Sequence, residues 1–290
     1  MTFAIFGNIY QEHKAVSTGR LLRLLAERGA HVFIDHEYRR FLLSLGISEA
    51  SGCLPFMGRD FQADIACSMG GDGTMLRTAA RVGDKETPIM GVNMGRLGFM
   101  ANVRPDELEK AVDALYTGQY ALDKRAIIQV EANGRPLSEY PIAINDVAVL
   151  KRDTASMITI HTQVGDEHLT TYQADGVIVS TSTGSTAYSL SNGGPIIVPG
   201  SGVFCITAVA PHSLNMRPVV IPETREVSFE VESRSHGFLV AIDGRAEKLD
   251  VGTRVTLRRA PYSCYVVKRQ DSTYFATLRE KMMWGADTRA

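Results

Sequence analysis

A chain of 290 residues is long enough for two domains or one large one, and it can bury a sizeable core without disulfide or metal support. It carries 31 Lys+Arg against 32 Asp+Glu, a net charge of −1, divided 13 against 14 up to residue 120 and 18 against 18 beyond it. Neither half has the cationic excess that coating nucleic acid or an acidic membrane requires, and 44% hydrophobic with 22% charged residues is the composition of a folded soluble protein, not a disordered one.

Phe3–Phe6 is a short apolar run ending at Gly7, which predicts a strand. Leu21, Leu22, Leu24 and Leu25 recur on one side of a helix, and Gly29 suits the position just past its end. His31–Ile34 predicts a second strand and Phe41–Leu45 a second helix. Asp64–Met69 predicts a buried strand running into Gly70-Gly71-Asp72-Gly73-Thr74 and an apolar helix start. Pro88–Val92 is a further strand, followed by the loop Asn93-Met94-Gly95-Arg96-Leu97-Gly98. Pro105–Tyr116 predicts a helix with Pro, Asp and Glu in its first turn and Gly118 past its end. Strands alternating with helices predict an α/β N-terminal domain over 1–120, doubly wound around a mainly parallel sheet.

The grammar changes after Gly118. Ala126–Glu131 followed by Asn133-Gly134 predicts a strand and a type I′ hairpin turn. Ser156–Val164, Gly165-Asp166 and Glu167–Tyr172 repeat the pattern, and Val227–Glu232, Phe238–Ile242 and Arg254–Leu257 add further strands. A helix candidate at Ser185–Leu190 interrupts them. A β-rich C-terminal domain over 121–274 is therefore expected, with a helix over 275–290 packing back on the first domain. No long linker separates the halves, so a ligand cleft between them is expected.

The N-terminus lacks the basic stretch and long apolar region of a signal peptide. The longest apolar stretch, around Val203–Ala210, falls far short of the ~20 residues that cross a bilayer. Cys53, Cys67, Cys205 and Cys264 form no C-x-x-C pair and are expected as buried reduced thiols of a cytoplasmic protein. None of the 7 histidines sits in H-E-x-x-H, and His161 and His168 fall in alternating segments where surface or core positions are expected, so no metal-ligand set is assigned.

Three segments carry chemistry. In Gly70-Gly71-Asp72-Gly73-Thr74, glycines between a strand and a helix let the backbone approach phosphate oxygens, while the helix start offers unpaired N–H donors. An anion there repels phosphate unless it holds a metal or a ligand hydroxyl, which singles out Asp72; a tight turn with Asp as helix cap is the plain alternative. Asn145-Asp146 can read an adenine edge and sugar hydroxyls, or make an Asx turn. Asp175-Gly176, the apolar Val177–Val179 and then Ser180-Thr181-Ser182-Thr183-Gly184-Ser185-Thr186-Ala187-Tyr188-Ser189 place many neutral hydroxyl donors ahead of a helix, or make a bland Ser/Thr-rich loop. No P-loop, protein-kinase, G-x-G-x-x-G or G-x-S-x-G signature occurs.

Together, G-G-D-G-T, N-D, D-G and S-T-x-T-G-S-T-A-Y-S at these spacings resemble the NAD kinase family over nearly the whole chain. T-G-S-T-A-Y is the specific part, since G-G-D-G-T is shared with diacylglycerol and sphingosine kinases. The resemblance implies a two-domain fold with the site between the domains, and phosphoryl transfer from ATP, with Mg²⁺ or another divalent cation, to the 2′-hydroxyl of the adenosine ribose of NAD. It implies Asp72 as general base, and Gly70, Gly71, Gly73 and Thr74 as the phosphate loop. It implies NAD contacts from Gly73, Arg77, Asn145, Asp146, Asp175, Thr183, Thr186, Ala187, Tyr188, Ser189, Leu190, Ser191, Ala210 and Arg245, with the Tyr188 ring for stacking. Asp146 stands where Glu is commoner, Ser182 replaces a usual proline, and Ser156 and Gln173 stand where relatives often carry His and Arg. NAD and ATP are the implied small-molecule partners, with no nucleic acid or membrane, and a homodimer or homotetramer is implied. A lipid kinase is the nearest rival, although no basic amphipathic helix is seen; a non-catalytic NADP(H)-binding sensor is the other.

Overall fold

The computed structural model describes residues 1–10, 12, 15–95, 98–153, 156–270 and 273–284. The chain begins β1 (Thr2–Gly7), α1 (Ala15–Glu27), β2 (His31–Asp35), α2 (His36–Ser44), β3 (Leu54–Phe56), β4 (Ile65–Gly70), α3 (Asp72–Val82), β5 (Ile89–Asn93), α4 (Leu108–Thr117) and β6 (Tyr120–Arg125). It continues β7 (Ile128–Ala132), β8 (Arg135–Pro136), β9 (Ile142–Ala143), β10 (Asp146–Lys151), β11 (Ile158–Val164), β12 (Glu167–Ala174), β13 (Gly176–Thr181), α5 (Tyr188–Ser191), β14 (Val203–Val209), β15 (Val219–Pro222), β16 (Val227–Glu232), β17 (Gly237–Ile242), β18 (Arg245–Asp250) and β19 (Val255–Arg259). It ends with β20 (Cys264–Arg269) and α6 (Tyr274–Met282). Two units result, one of Met1–Lys124 with Cys264–Ala290 and one of Arg125–Ser263.

The first unit holds one sheet in the order β3-β2-β1-β4-β5-β20-β6. Its paired inner strands run parallel, with β1 flanked by β2 and β4. Every residue of β4 and β5 is buried, as expected where helices cover both faces of a parallel sheet. Helix α1 buries Leu21, Leu22 and Leu25 against it. The helix ends where Gly29 turns left-handed (φ 63°) and the Ala30 and Gly29 amides return to the Leu25 and Ala26 carbonyls.

The second unit is built of two antiparallel sheets, β15-β14-β13-β10-β17-β18 and β12-β11-β16-β19-β7-β8, with β9 paired to β7. Side chains from both enter one core, including Val149, Phe204, Phe238 and Val240 from the first and Val130, Ile160, Phe229 and Leu257 from the second. Strand β11 alternates buried and half-buried residues throughout, the period-2 pattern of a strand with one face on a core. Asn133 (φ 49°) and Gly134 (φ 75°) form the two-residue turn joining β7 to β8, as their sequence predicts.

The expected boundary at 121–274 is corrected at both ends. β6 and β20 belong to the sheet of the first unit, where β20 pairs in parallel with β5 through Val266 and Ile89. The alternation that marks a strand says nothing about a partner so far away in the chain, which is why Cys264–Arg269 groups by sequence with the strands before it. The C-terminal helix extends over Tyr274–Met282, capped by the Thr273 hydroxyl and buried at Leu278; residues 285–290 of the expected helix lie outside the described residues.

Candidate active site

The first sheet reverses direction between β1 and β4: it grows one way through β2 and β3, the other through β5. In doubly wound sheets, the crevice at the carboxyl ends of such a strand pair is where ligands sit. Those ends are Gly7 and Gly70. A Cβ on Gly7 would stand 2.0 Å from the Tyr38 ring, and one on Gly70 2.2 Å from Thr74 Oγ1, so packing dictates both glycines. At Gly71 and Gly73 a Cβ meets nothing within 4 Å, which leaves room beside the backbone at the start of α3. A pocket of ≈ 360 Å³ opens here, lined by Gly7, Asn8, Tyr10, Thr74 and Arg77 among others. Arg77 Nη2 donates to Thr74 Oγ1 at 3.3 Å.

Asp72 is the first residue of α3. Its Oδ2 accepts the Phe99 N–H at 2.8 Å, and its Oδ1 accepts those of Met100 and Ala101 at 3.1 and 3.0 Å. These amides compensate the charge and so explain how a carboxylate is tolerated in a phosphate-type loop. A carboxylate has about four acceptor positions, so a fourth, on Oδ2, can take a hydroxyl. Gly98 is required by the same contact, since a Cβ there would fall 2.0 Å from Asp72 Oδ1.

In the second unit, the Asn145-Asp146 pair lies at the start of β10 and is held from two directions. Asp243, in left-handed backbone (φ 46°) just after β17, accepts the N–H groups of Ile144, Asn145 and Asp146 at 2.8, 2.9 and 3.1 Å. Its own N–H donates to the Asp146 carbonyl at 3.0 Å. On the other side, the Thr181 N–H donates to the Asn145 carbonyl at 2.9 Å, and Thr181 Oγ1 donates to the Ile144 carbonyl and accepts the Gly184 N–H. Gly184 is so close that a Cβ would lie 2.0 Å from the Asn145 oxygen. The Asn145-Asp146 and Ser/Thr-rich segments are thus one construction.

Asp146 is buried, and its carboxylate accepts the Tyr188 N–H. Burial, reinforced by the nearby Asp243 charge, pushes its pKa up to about 7. Asp243 is also raised, burial outweighing its three amide bonds and the nearby Arg245. Arg245 spends its guanidinium on the carbonyls of Tyr140 and Ile142, at 3.2 and 2.9 Å, and so braces the segment leading to Asn145.

The remaining expected residues fall in different settings. Thr183 Oγ1 accepts from Arg125 at 3.2 Å, and Thr186 Oγ1 donates to the Thr183 carbonyl at 3.3 Å. The Tyr188 ring is 40% exposed and free to stack. Ser189 instead turns inward to Thr207 Oγ1, 3.0 Å away. Ala187 and Leu190 are half-buried and Ser191 is exposed. Ala210 has left-handed backbone (φ 44°), and Asp175 pairs with Lys151 at 2.6 Å. Ser156 and Gln173 line a groove of ≈ 710 Å³ with Lys151 and Arg234. The sequence reading did not single out Thr181, Arg125 or Asp243. Ile242-Asp243-Gly244 reads as a turn, but nothing in it shows a carboxylate reaching back to three amides on another strand.

All four cysteines are buried and free. Among the described residues no group of three or more His, Cys, Asp or Glu could hold a metal ion, and no helix is long and apolar enough to cross a membrane.

A parallel α/β unit carrying a glycine-rich loop at its switch point, joined to an antiparallel β unit, defines a two-unit phosphotransferase architecture. Residues 3–120 match the ATP-NAD kinase N-terminal domain and residues 144–269 the ATP-NAD kinase C-terminal domain. An NAD kinase of Bacteroides fragilis is 52% identical over 290 residues, covering 100% of both chains, and one of Cytophaga hutchinsonii is 37% identical over 291 residues with the same coverage. The chain belongs to the NAD kinase family. Two solved structures share the fold. A yeast NADH kinase complexed with NADH has a TM-score of 0.88 at 20% identity, covering 100% of this chain and 89% of that one. An NAD kinase from Archaeoglobus fulgidus in complex with ATP has a TM-score of 0.73 at 23% identity, covering 98% and 99%.

Proposed function

We propose that this kinase transfers the γ-phosphoryl group of ATP to the 2′-hydroxyl of the adenosine ribose of NAD, giving NADP. A bond forms between the ribose 2′-oxygen and the γ-phosphorus as the bond from that phosphorus to the β,γ-bridging oxygen breaks, and ADP leaves. Such transfers depend chiefly on positioning and charge neutralisation. The observation that carries the reading is Asp72: three backbone amides fix its carboxylate at the start of α3, with one acceptor position on Oδ2 for a ribose hydroxyl. Asp72 orients the 2′-hydroxyl and takes its proton. The open backbone at Gly71 and Gly73 and the Thr74 hydroxyl receive phosphate oxygens, with Gly70 shaping the loop and Arg77 adding positive charge. Asn145 and Asp146 take the adenine edge and ribose, and Tyr188 stacks. Asp175, Thr183, Thr186, Ala187, Ser189, Leu190 and Ser191 complete the NAD site, with more distant contacts from Ala210 and Arg245 and further ones from Ser156 and Gln173.

The donor set of hydroxyls, amides and one occupied carboxylate does not fit a resident metal cage. Mg²⁺ is therefore part of the substrate, entering as Mg·ATP. We place the enzyme in the cytoplasm as a homodimer or homotetramer, which light scattering of the purified protein tests. The functional test is incubation with Mg·ATP and NAD, with detection of NADP. Phosphorylation of a lipid but not of NAD overturns the reading, and NADP(H) binding without turnover leaves only a sensor. Asp72→Asn keeps one oxygen for the Met100 and Ala101 amides, sets its NH₂ against that of Phe99, removes the proton acceptor, and is expected to lower kcat by about 10²- to 10⁴-fold, with the fold intact by circular dichroism. A kcat within threefold of wild type sinks the role.

A further inference from the structure

Asp243 is a buried carboxylate that the phosphoryl transfer does not use. Both of its oxygens are spent on consecutive backbone amides, those of Ile144, Asn145 and Asp146, and its own amide closes the ring on the Asp146 carbonyl. Three successive N–H groups directed at one carboxylate leave the peptide planes of residues 144–146 little freedom, and the Cα–Cβ directions of Asn145 and Asp146 follow from those planes. We propose that Asp243 is a positioning residue for the nucleoside of the acceptor substrate, setting through the backbone the direction in which Asn145 and Asp146 meet it. This rests on the proposed NAD kinase reading for the identity of the ligand, and on geometry alone for the mechanical link.

The link has an electrostatic side. Among the described residues, Asp243 from the turn after β17 is the charged group that acts on Asp146; Arg245, at the start of β18, acts on Asp243 and directs its guanidinium at the Tyr140 and Ile142 carbonyls. The partner of Asp146 across β13 is the neutral Ser180, and the 181–191 segment contributes the Tyr188 N–H. Lys151, at the far end of β10, is paired with Asp175. Asp243 takes three amide donors and Asp146 that of Tyr188; burial raises both carboxyls, and the Asp243 charge adds to the rise at Asp146. Asp243 thus controls both the direction and the charge of the group that faces the ribose.

The test uses the full chain with two substitutions. Asp243→Asn keeps an oxygen for the Asn145 and Asp146 amides and removes the charge; Asp243→Glu keeps the charge and moves the oxygens by one methylene. With Mg·ATP saturating, Asp243→Asn is expected to raise KM for NAD about tenfold with kcat within threefold of wild type. In nucleotide-free protein, the ¹³C resonance of the Asp146 carboxyl is expected to titrate about one pH unit lower in Asp243→Asn than in wild type. In Asp243→Glu, KM is expected to rise while the Asp146 titration stays high, so this variant carries the test should Asp243→Asn not fold. A merely structural role lowers the melting temperature and moves neither readout. A KM for NAD within twofold of wild type in a folded variant overturns the proposal, whatever the titration shows. A wild-type protein that forms no NADP defeats the functional reading instead, and the Asp146 titration still decides whether Asp243 acts on it.

Discussion

Asp146→Asn tests how the buried acidic pair affects folding. In the folded chain the Asp146 carboxyl binds its proton up to about pH 7, against 3.8 for an ordinary aspartate. Between those values the folded state holds more protons than the unfolded one, so wild-type stability falls as pH rises through that window, by about 1.4 kcal/mol per pH unit and about 4 kcal/mol in all. The penalty is absent below pH 4 and complete above pH 7. The asparagine keeps an oxygen for the Tyr188 N–H and carries no charge. It is therefore expected to match wild type near pH 4 and to exceed it by up to about 4 kcal/mol at pH 8, although NAD binding suffers. Urea unfolding of both nucleotide-free proteins at pH 4, 5.5, 7 and 8.5, followed by far-UV circular dichroism, gives the difference directly, since every other carboxylate is common to both. A difference that does not change with pH, or a variant less stable than wild type at pH 8, refutes the argument.

Three other perturbations follow from close contacts. Gly98→Ala places a methyl 2.0 Å from Asp72 Oδ1; a fall in kcat of about 10- to 100-fold is expected as the carboxylate loses its fixed position, and unchanged turnover would show that the loop holding Asp72 is dispensable. In Gly184→Ala the new carbon would lie 2.0 Å from the Asn145 carbonyl oxygen, backbone against backbone, at a cost of about 1–3 kcal/mol by urea denaturation; a smaller loss with normal KM for NAD would disconnect the two segments. Phe229→Ala, in the core between the two antiparallel sheets, is expected to cost about 3–5 kcal/mol in the same measurement, and a loss below 1 kcal/mol would contradict the packing described.

What the sequence made legible was local. The run into Gly70-Gly71-Asp72-Gly73 marks a strand, a turn and a helix start because each residue's own conformational preference points the same way. Asn133-Gly134 marks its hairpin for the same reason. The partner of β20 was not legible, because Val266 and Ile89 meet by a pairing that no short window contains. Asp72 was found as an anomaly of charge, whereas its amide partners at Phe99–Ala101 come from a loop after another strand. Asp243 escaped for a related reason: a carboxylate in a turn normally serves that turn, and only the register of β10 beside β17 brings it to Asn145 and Asp146. Ser189 shows the converse, a hydroxyl in a ligand-type motif that is turned into the protein to meet Thr207.

The place of β20 within its sheet bears on how the chain is made. The strand lies between β5 and β6, yet it leaves the ribosome only after the whole of the second unit has been synthesised. Until then β5 has an open edge and β6 lacks its neighbour, while every strand of the two antiparallel sheets is already available. The second unit can therefore complete its sheets first, and the unit that begins the chain is the last to close. Premature termination between Cys264 and Arg269, within β20, strikes the sheet whose β4 leads into Asp72 and leaves both antiparallel sheets whole, including the one that Asp146 enters through β10.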